Sequence, residues 1–286
     1  IVCASHKGRN RIPKLINSIN ENSFKPYEII LCVTDRNDIE LISKDIIKKL
    51  NIKIIISTIK NQSKQRKLAI ESSSGDYILQ FDDDLVFDQN VLEKFKLHFK
   101  DNKHENKIVS ALVVLPNKTY QSSRWNNIYK SSPIFRFILF YLNGFRKIKP
   151  MSILKSGRVA PLIIFDKKNN LIENAEWLNS CVMYNKKAII HSGIEEFDFK
   201  KSYFEDVFFS HNLYLKKYKL ILDKNIQVHH HFVEPTNLFT FFKTIYVQYR
   251  IVKKYKKNYF LFISDIFIFF FLYIISTSIN FNKKNK

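Results

Sequence analysis

The feature that most constrains the fold of this chain is an apolar run that ends in three carboxylates. Residues 77–81 lack the polar alternation of a half-exposed strand and are typical of a strand buried on both faces, as in parallel sheets. Asp82, Asp83 and Asp84 follow directly. Three carboxylates near a core repel one another and are best stabilised by a cation, usually a divalent metal. If the backbone stays extended, Asp82 and Asp84 point the same way and would share one ion or ligand. The alternative is an acidic turn that caps the next helix.

Strand-like and helix-like patterns alternate along the first 115 residues. The apolar runs predict strands, and the apolar residues at helical spacing predict helices between them. This alternation favours an α/β domain with a mostly parallel sheet, in which ligands bind at the C-terminal ends of the strands. The predicted strands are 1–5, 27–34, 52–58, 77–81 and 108–115, and the predicted helices are 13–20, 39–50, 61–73 and 92–99.

The pattern weakens after Pro116. The polar stretch 117–133 is predicted to be a loop. The apolar segment 134–142 is predicted to be either an amphipathic helix at a membrane surface or an ordinary core helix. Further on, a helix is predicted from Glu205 to about residue 217, followed by two short strands at 219–222 and 227–230.

The C-terminal part has a composition unlike that of the rest of the chain. Apolar residues recur at intervals of three and four between 238 and 252, with lysines and an arginine off that stripe, which predicts a basic amphipathic helix over 236–258 of the membrane-surface type. The alternative is a terminal helix packed on the domain. The segment 259–279 then has one charged residue, Asp265, and is long enough to span a bilayer. We therefore expect 259–280 to be a membrane-inserted or transmembrane helix.

The net charge of +21 suits anionic partners such as nucleic acid, acidic lipid or phosphorylated substrates. Most of the excess is lysine scattered among asparagine and isoleucine, without an arginine-rich tract or zinc-finger spacing, so nucleic-acid binding is not predicted. The three cysteines form no CxxC pair, and Cys3 and Cys32, which lie in apolar strand-like runs, are expected to be reduced core residues, which suits the cytoplasm. Together with the C-terminal helices, this predicts a location on the cytoplasmic face of a membrane.

Four motifs in order carry a resemblance to a known family. They are an arginine-bearing helix (63–70), a Gly-Asp step before the strand that ends in Asp82–Asp84, the run 177–181 with Gly193 and Phe197 after it, and Glu205-Asp206 followed by Val228-His229-His230. Over residues 1–235 the chain resembles glycosyltransferase family 2. The resemblance implies a GT-A fold, a nucleoside-diphosphate sugar donor, a divalent Mg²⁺ or Mn²⁺ ion and inversion at the anomeric carbon.

The resemblance also implies roles for individual residues. In the nucleotide-sugar site, Ala4 and His6 would line the base pocket, Asp35 would read the base, Arg66 would lie near the nucleotide, and Asp82 and Asp83 would face the ribose and diphosphate. The metal would be held by Asp84 and by His230, with His229 or His231 as alternatives for the histidine. Trp177 would lie by the donor sugar or the acceptor.

Glu205 and Asp206 match the catalytic pair of the family, and the second acid is its usual base. The positive end of a helix dipole favours an ionised carboxylate, so Asp206 is expected to be unprotonated at neutral pH. The alternative is that both acids only cap the helix.

These observations predict an enzyme that transfers a sugar to a hydroxyl of a glycan or a lipid-linked acceptor in surface polysaccharide synthesis. Two alternatives remain open at this level. One is transfer directly to polyprenyl phosphate, although a phosphate acceptor needs no base. The other is a non-catalytic membrane-binding module, which would bind donor without metal dependence or turnover.

Overall fold

The computed structural model describes residues 1–100, 106–116, 123–160, 169–173, 175–194, 204–230 and 238–284. Strands within this part of the chain form one sheet. In chain order they are β1 (Val2–Ser5), β2 (Ile29–Val33), β3 (Ile52–Ile56), β4 (Tyr77–Asp82), β5 (Leu85–Phe87), β6 (Lys107–Val114), β7 (Leu171–Glu173), β8 (Val182–Asn185) and β9 (Lys219–His230).

Helices lie between the strands along the chain. Pro13 lies in the first turn of α1, where a missing N–H does no harm, and the side chains of Asn61 and Ser132 cap α3 and α6 by accepting backbone N–H groups. The helices are α1 (Ile12–Glu21), α2 (Lys44–Lys49), α3 (Gln62–Glu71), α4 (Val91–His98), α5 (Ser123–Ser131), α6 (Pro133–Leu142), α7 (Lys187–Ser192), α8 (Glu205–Leu215), α9 (Leu238–Lys254) and α10 (Tyr259–Lys284).

The sheet has the strand order β3-β2-β1-β4-β8-β6-β9-β5, with β7 paired to β9. The first four strands run parallel, and every residue of β1 and β2 is buried, as expected for strands covered on both faces. Because β1 lies between β2 and β4, the C-terminal ends of these three strands meet at one edge. This edge carries the predicted acids.

The prediction of a mostly parallel sheet is wrong for the second half. Strand β8 pairs antiparallel with both β4 and β6, and β9 pairs antiparallel with β5 and β7, so among the described strands antiparallel pairings are as numerous as parallel ones. The register joins Gln80 to Val182, so β8 begins where β4 ends. The antiparallel direction therefore brings the segment before β8 to the same edge as the acids.

Four local predictions differ from the structure. The stretch 39–50 is helical only in α2, after a short 3-10 turn at Arg36–Asp38, and Ser43 caps α2. The backbone does not stay extended after Asp82 but turns before β5. Helix α5 occupies part of the predicted loop 117–133, of which residues 117–122 lie outside the described residues. The two predicted closing strands are one strand, β9, whose pairing with β6 shifts register after Ala111.

The chain divides into two compact units. The first, here called the sheet unit, comprises Ile1–Ser123 and Ile164–Pro235, and the second, the helical unit, comprises Arg124–Ile163 and Thr236–Lys286. The main core of the sheet unit includes the buried faces of β1, β2 and β4 with α1 and α4. The helical unit has a smaller core, built from Phe135, Leu139, Leu142, Ile148, Leu154, Ala160 and Phe269.

The one acidic residue of the helical unit is paired inside it. Asp265 on α10 is fully buried and accepts hydrogen bonds from Ser156 Oγ at 2.9 Å and from Arg158 Nε at 2.9–3.0 Å, with a further contact from Arg158 Nη2. The Arg158 guanidinium lies over the Phe269 ring at 3.4 Å. Gly157, at φ +81°, lets this segment approach α9, where a Cβ would overlap Val252. The acid in the apolar segment is thus neutralised by a two-pronged ion pair.

No helix in the described part of the chain is both long and apolar enough to cross a membrane. The membrane-inserted or transmembrane helix over 259–280 stays a prediction.

Candidate functional site

A cavity of about 620 Å³ opens in the sheet unit at the C-terminal ends of β1 and β4, beside the first turn of α8. Most of the predicted site residues lie at this cavity. The predicted site residues that line the cavity are Ala4, His6, Asp82, Asp83, Asp84, Trp177, Glu205, Asp206 and His230. Arg66 lies behind this lining and Asp35 is not part of it.

The first of the three acids, Asp82, is held by protein donors. Its carboxylate accepts hydrogen bonds from Gln62 Nε2 at 3.1 Å, Arg66 Nη2 at 2.7 Å and Ser180 Oγ at 2.6 Å. Arg66 is 2% exposed and also forms an ion pair with Glu205, the first residue of α8. Glu205 in turn accepts from Ser63 Oγ at 3.1 Å. A buried arginine thus joins the end of β4 to the start of α8.

The second acid, Asp83, points towards the loop after β1. It accepts from Ser5 Oγ and from Arg11 Nη2, the latter at 2.8 Å. Burial raises the pKa of Asp83, whereas Arg11 and Ser5 act to lower it. Gly8 is required in this loop because a Cβ there would overlap Ser5 Oγ and the Ile12 side chain.

The third acid, Asp84, meets a histidine. His230 Nε2 lies 3.4 Å from Asp84 Oδ2, because Leu85 pairs with His230 in the register of β5 and β9. Successive side chains of a strand alternate between faces, and His229 instead contacts Asp88 at 3.0 Å. His231 and Phe197 lie outside the described residues.

The pair Asp84 and His230 has the chemistry of a divalent metal site. A carboxylate oxygen and an imidazole nitrogen are both ligands of Mn²⁺, and two ligands at right angles on one small ion are about 3 Å apart. Among the described residues, no group of three or more His, Cys, Asp or Glu side chains is arranged around one ion position. Asp84 and His230 are therefore the described residues that could hold such an ion.

Asp206 is a half-buried acid that lines the same cavity. Burial, and then the charge of Asp82, raise the pKa of Asp206 from 3.8 to about 6, although Val207 N–H donates to its carboxylate at 2.9 Å. The sequence argument from the helix dipole expected the opposite direction. Desolvation outweighs the dipole here, but a pKa of about 6 still leaves the group mostly ionised at pH 7.

Helix α8 is not capped in the usual way. Its N-cap residue is Phe204, which makes no side-chain cap hydrogen bond and has a left-handed backbone at φ +58°. Glu205 and Asp206 occupy the first two helical positions instead, so neither acid is the N-cap residue that the alternative interpretation requires.

Trp177 reaches the cavity from the segment before β8. Its indole Nε1 is buried and makes no hydrogen bond within the described part of the chain. Asn179 holds the segment in place, donating to the Ala111 carbonyl at 3.0 Å and accepting from Ser110 Oγ at 2.5 Å. Ser180 follows and donates to Asp82. The antiparallel entry into β8 is what delivers these side chains.

Asp35 is exposed and caps the 3-10 turn that follows β2, accepting from Asn37 N–H at 2.9 Å. An ordinary turn residue has the same local role. Recognition of the donor's nucleobase by Asp35 stays a prediction. His6, by contrast, lies at the cavity with its ring Nδ1 2.8 Å from Thr34 Oγ1.

Three polar residues at the site were missed by the sequence analysis: Arg11, Gln62 and Ser180. Each binds one of the acids at the end of β4. Gln62 sits one turn before Arg66 on α3, so helical spacing gave a usable signal for it. Arg11 and Ser180 carry no local signal, because their contacts with Asp83 and Asp82 span 72 and 98 residues.

The sequence profile of glycosyl transferase family 2 matches residues 1–158. The chain belongs to this family. The match covers β1 to β6 and the acids at the end of β4, and it confirms the resemblance inferred from the motifs. No curated protein matches the chain in sequence.

Several solved structures resemble the fold of this chain. The neighbours include S. aureus TarS, with a TM-score of 0.53 and 15% identity over 86% of this chain and 38% of that one. TarS 1–349 in complex with UDP and in complex with UDP-GlcNAc give TM-scores of 0.53 and 0.55, with 14% and 13% identity over 88% of this chain. The chain spans less than two thirds of the length of each neighbour. At this identity the likeness shows the fold alone, an α/β sheet with flanking helices that resembles GT-A.

Proposed function

We propose that this glycosyltransferase moves a sugar from a nucleoside-diphosphate sugar to a hydroxyl of a glycan or lipid-linked acceptor, with inversion at the anomeric carbon. The observation that carries the proposal is that Asp206, with its pKa raised to about 6, lines the same cavity as the Asp84–His230 pair. The TarS complexes with UDP and UDP-GlcNAc support a nucleotide-sugar donor and make UDP-GlcNAc the first donor to test.

Asp206 acts as the general base in this proposal. A base is most effective when its pKa lies just below the working pH, because it is then ionised and still a good proton acceptor. Asp206 meets this condition near pH 7. It takes the proton from the acceptor hydroxyl as the hydroxyl attacks the anomeric carbon from the face opposite the leaving diphosphate.

Glu205 has a positioning role rather than a proton-transfer role. Its carboxylate is engaged by Arg66 and by Ser63, both buried, so it is committed to the link between α3 and α8. This link fixes the first turn of α8 and therefore the place of Asp206. Arg66 and Asp82 shape the donor side of the cavity through the same link.

Asp84 and His230 would hold a Mg²⁺ or Mn²⁺ ion, which supplies Lewis-acid stabilisation of the negative charge on a leaving diphosphate. On this chain, Arg11 and Lys7 add positive charge to the same cavity. Ala4 and His6 line the part of the cavity that would receive the nucleobase of the donor. The buried Trp177 N–H is a donor available to a sugar or phosphate oxygen.

The experiment is nucleotide release and sugar transfer measured across UDP-, GDP- and dTDP-sugars, with Mg²⁺, with Mn²⁺ and with EDTA. We expect turnover to vanish in EDTA and to return with metal. His230→Gln should lower kcat by about 10²–10³-fold, the size of losing one preorganised electrostatic group.

The matched control is His229→Gln, whose imidazole contacts Asp88 instead of Asp84, and it should retain turnover. Full turnover in chelator would contradict the metal assignment. Donor binding without turnover under every condition would contradict the enzyme function itself.

A further inference from the structure

The positive charge of the chain is concentrated in the helical unit. That unit, Arg124–Ile163 with Thr236–Lys286, contains 17 Lys and Arg residues and one acidic residue, a net charge of +16 out of +21 for the whole chain. The one acid, Asp265, is fully buried and paired with Arg158. The unit therefore presents no exposed carboxylate from its own sequence to offset its basic side chains.

The same unit also exposes large apolar side chains in regular stripes. Helix α9 exposes one stripe and α10 another, each with the three-and-four spacing that places side chains on a single helix face. The α9 stripe is Phe239, Phe242, Tyr246 and Tyr249, and the α10 stripe is Phe260, Ile263, Phe267, Phe270 and Phe271.

Helix α9 has two apolar faces, which explains why its sequence pattern was ambiguous. Val247, Ile251 and Val252 are buried, and the α9 stripe lies on the other side and is 40–67% exposed. One face of α9 is thus buried, while the other is exposed. Of the two alternatives drawn from the sequence, the surface-binding helix concerns the exposed face of α9, and it stays a prediction.

We propose that the helical unit docks on an anionic lipid bilayer, with the α9 and α10 stripes at the boundary between headgroups and acyl chains and the lysines and arginines among the headgroups. Aromatic side chains on one face and basic residues beside them are the combination that binds a helix in the plane of such an interface. The buried Arg158–Asp265 pair holds α10 within the unit, so the charge in its apolar segment need not enter lipid.

Two other occupants fit these observations less well. A second copy of the chain would bring a net charge of +16 against another +16, which opposes association of this surface with itself. A nucleic acid would satisfy the charge but would leave the phenylalanine and isoleucine stripes without an apolar partner.

The test is co-sedimentation of the full chain with vesicles of phosphatidylcholine alone and with vesicles that also contain phosphatidylglycerol. We expect strong binding only to the anionic vesicles. We also expect partial retention at 1 M salt, where the screening length falls to about 3 Å, because the apolar stripes remain inserted.

Two variants separate charge from apolar insertion. Lys253→Gln/Lys254→Gln, at the exposed end of α9, should weaken binding about 25-fold, since each basic residue near an anionic surface contributes about fivefold. Its control is Lys48→Gln/Lys49→Gln, the exposed lysine pair that ends α2, which should bind as the unaltered protein does.

Phe260→Ser/Phe267→Ser should be released from anionic vesicles by 1 M salt. Both side chains are 70% exposed, so the fold has little to lose. Leu97→Ser/Ile190→Ser, also exposed but in the sheet unit, is the control and should resist salt as the unaltered protein does. Unchanged melting temperatures show that the variants remain folded.

Equal binding to neutral and anionic vesicles, or complete release of the unaltered protein by salt, would overturn the proposal. So would a stable oligomer that does not bind vesicles, which would assign the stripes to a second copy. Vesicle binding is measured without donor, so its failure is distinct from a failure of the proposed transfer reaction.

Discussion

Replacing Asp206 with Asn separates the two roles that this acid can have. Asn keeps the shape of the side chain and an oxygen that accepts from Val207 N–H, but it carries no charge and accepts no proton. If Asp206 is a desolvated base, the variant should be more stable and nearly inactive. If Asp206 only interacts favourably with the dipole of α8, the variant should be slightly less stable and still active.

The magnitude follows from the raised pKa. One pKa unit corresponds to 1.36 kcal/mol, so a pKa raised from 3.8 to about 6 means that the ionised form destabilises the folded state by about 3 kcal/mol. An amide must also be partly desolvated, which reduces the gain, so we expect the free energy of unfolding to rise by about 1–2 kcal/mol at pH 7.

The sign can be checked against pH. Below pH 3.8 the carboxyl is protonated in both the folded and the unfolded state, and the penalty is absent. The penalty develops between pH 3.8 and about 6, as the unfolded state loses its proton first, and is complete above pH 6. The stability advantage of Asp206→Asn over the unaltered protein should therefore grow across this range and level off above it.

Urea unfolding at several pH values measures the stability, and transfer at saturating acceptor measures the chemistry. Loss of a general base should lower kcat by about 10²–10⁴-fold and spare donor binding. In the unaltered protein, kcat/KM should fall as pH drops through about 6, because protonation removes the base.

The matched control is Asp45→Asn. Asp45 holds the same position in α2 as Asp206 in α8, the second helical residue, but it is exposed. Its loss should lower stability by about 0.3–1 kcal/mol, the value of a dipole interaction, and leave turnover unchanged. A destabilised Asp206→Asn protein with near-normal transfer would refute the base assignment and the desolvation argument together.

Two further predictions concern the frame of the site. Arg66→Met should lower the free energy of unfolding by about 3–5 kcal/mol, because it removes the cation that pairs with the buried Glu205 and the half-buried Asp82. Arg9→Met, which breaks an exposed pair, should cost under about 1 kcal/mol by the same urea titration. Equal losses from the two variants would disprove the buried link. Gly8→Ala should lower the free energy of unfolding by about 1–3 kcal/mol and weaken donor binding, because the added Cβ displaces Ser5. The control is Gly75→Ala, where the added Cβ would lie 3.5 Å from its nearest neighbour, the Tyr77 carbonyl oxygen. Similar effects of the two substitutions would show that the close approach at Gly8 is unimportant.

Much of the fold is readable from local pattern. Periodicity of apolar residues indicates which side of an element is buried. It placed most strands and helices from β1 to β6, but it did not predict β5, and only part of the predicted helix 39–50 is helical. The acids at the end of a buried strand, and the motifs that follow in order, were enough to indicate the family and the edge of the sheet that carries the cavity. These properties depend on neighbours in sequence, which is why a single chain reveals them.

Tertiary structure decided which partner each of the three acids binds. The sequence suggested that Asp82 and Asp84 share a ligand, but a turn after β4 sends the acids to separate partners: Arg66 for Asp82, Arg11 for Asp83 and His230 for Asp84. Which distant side chain meets a given carboxylate depends on strand order and register, and periodicity contains no information about either.

Electrostatics was likewise decided by burial. The helix dipole, a local property of α8, predicted a readily ionised Asp206, whereas desolvation in the cavity raises the pKa of that residue to about 6. Asp265, which by sequence was an unfavourable charge in an apolar segment, is neutralised by Arg158, more than a hundred residues earlier in the chain. Sequence identifies the charged groups, but the free energy of each charge depends on the water and the counter-charges around it, which exist only once the chain has folded.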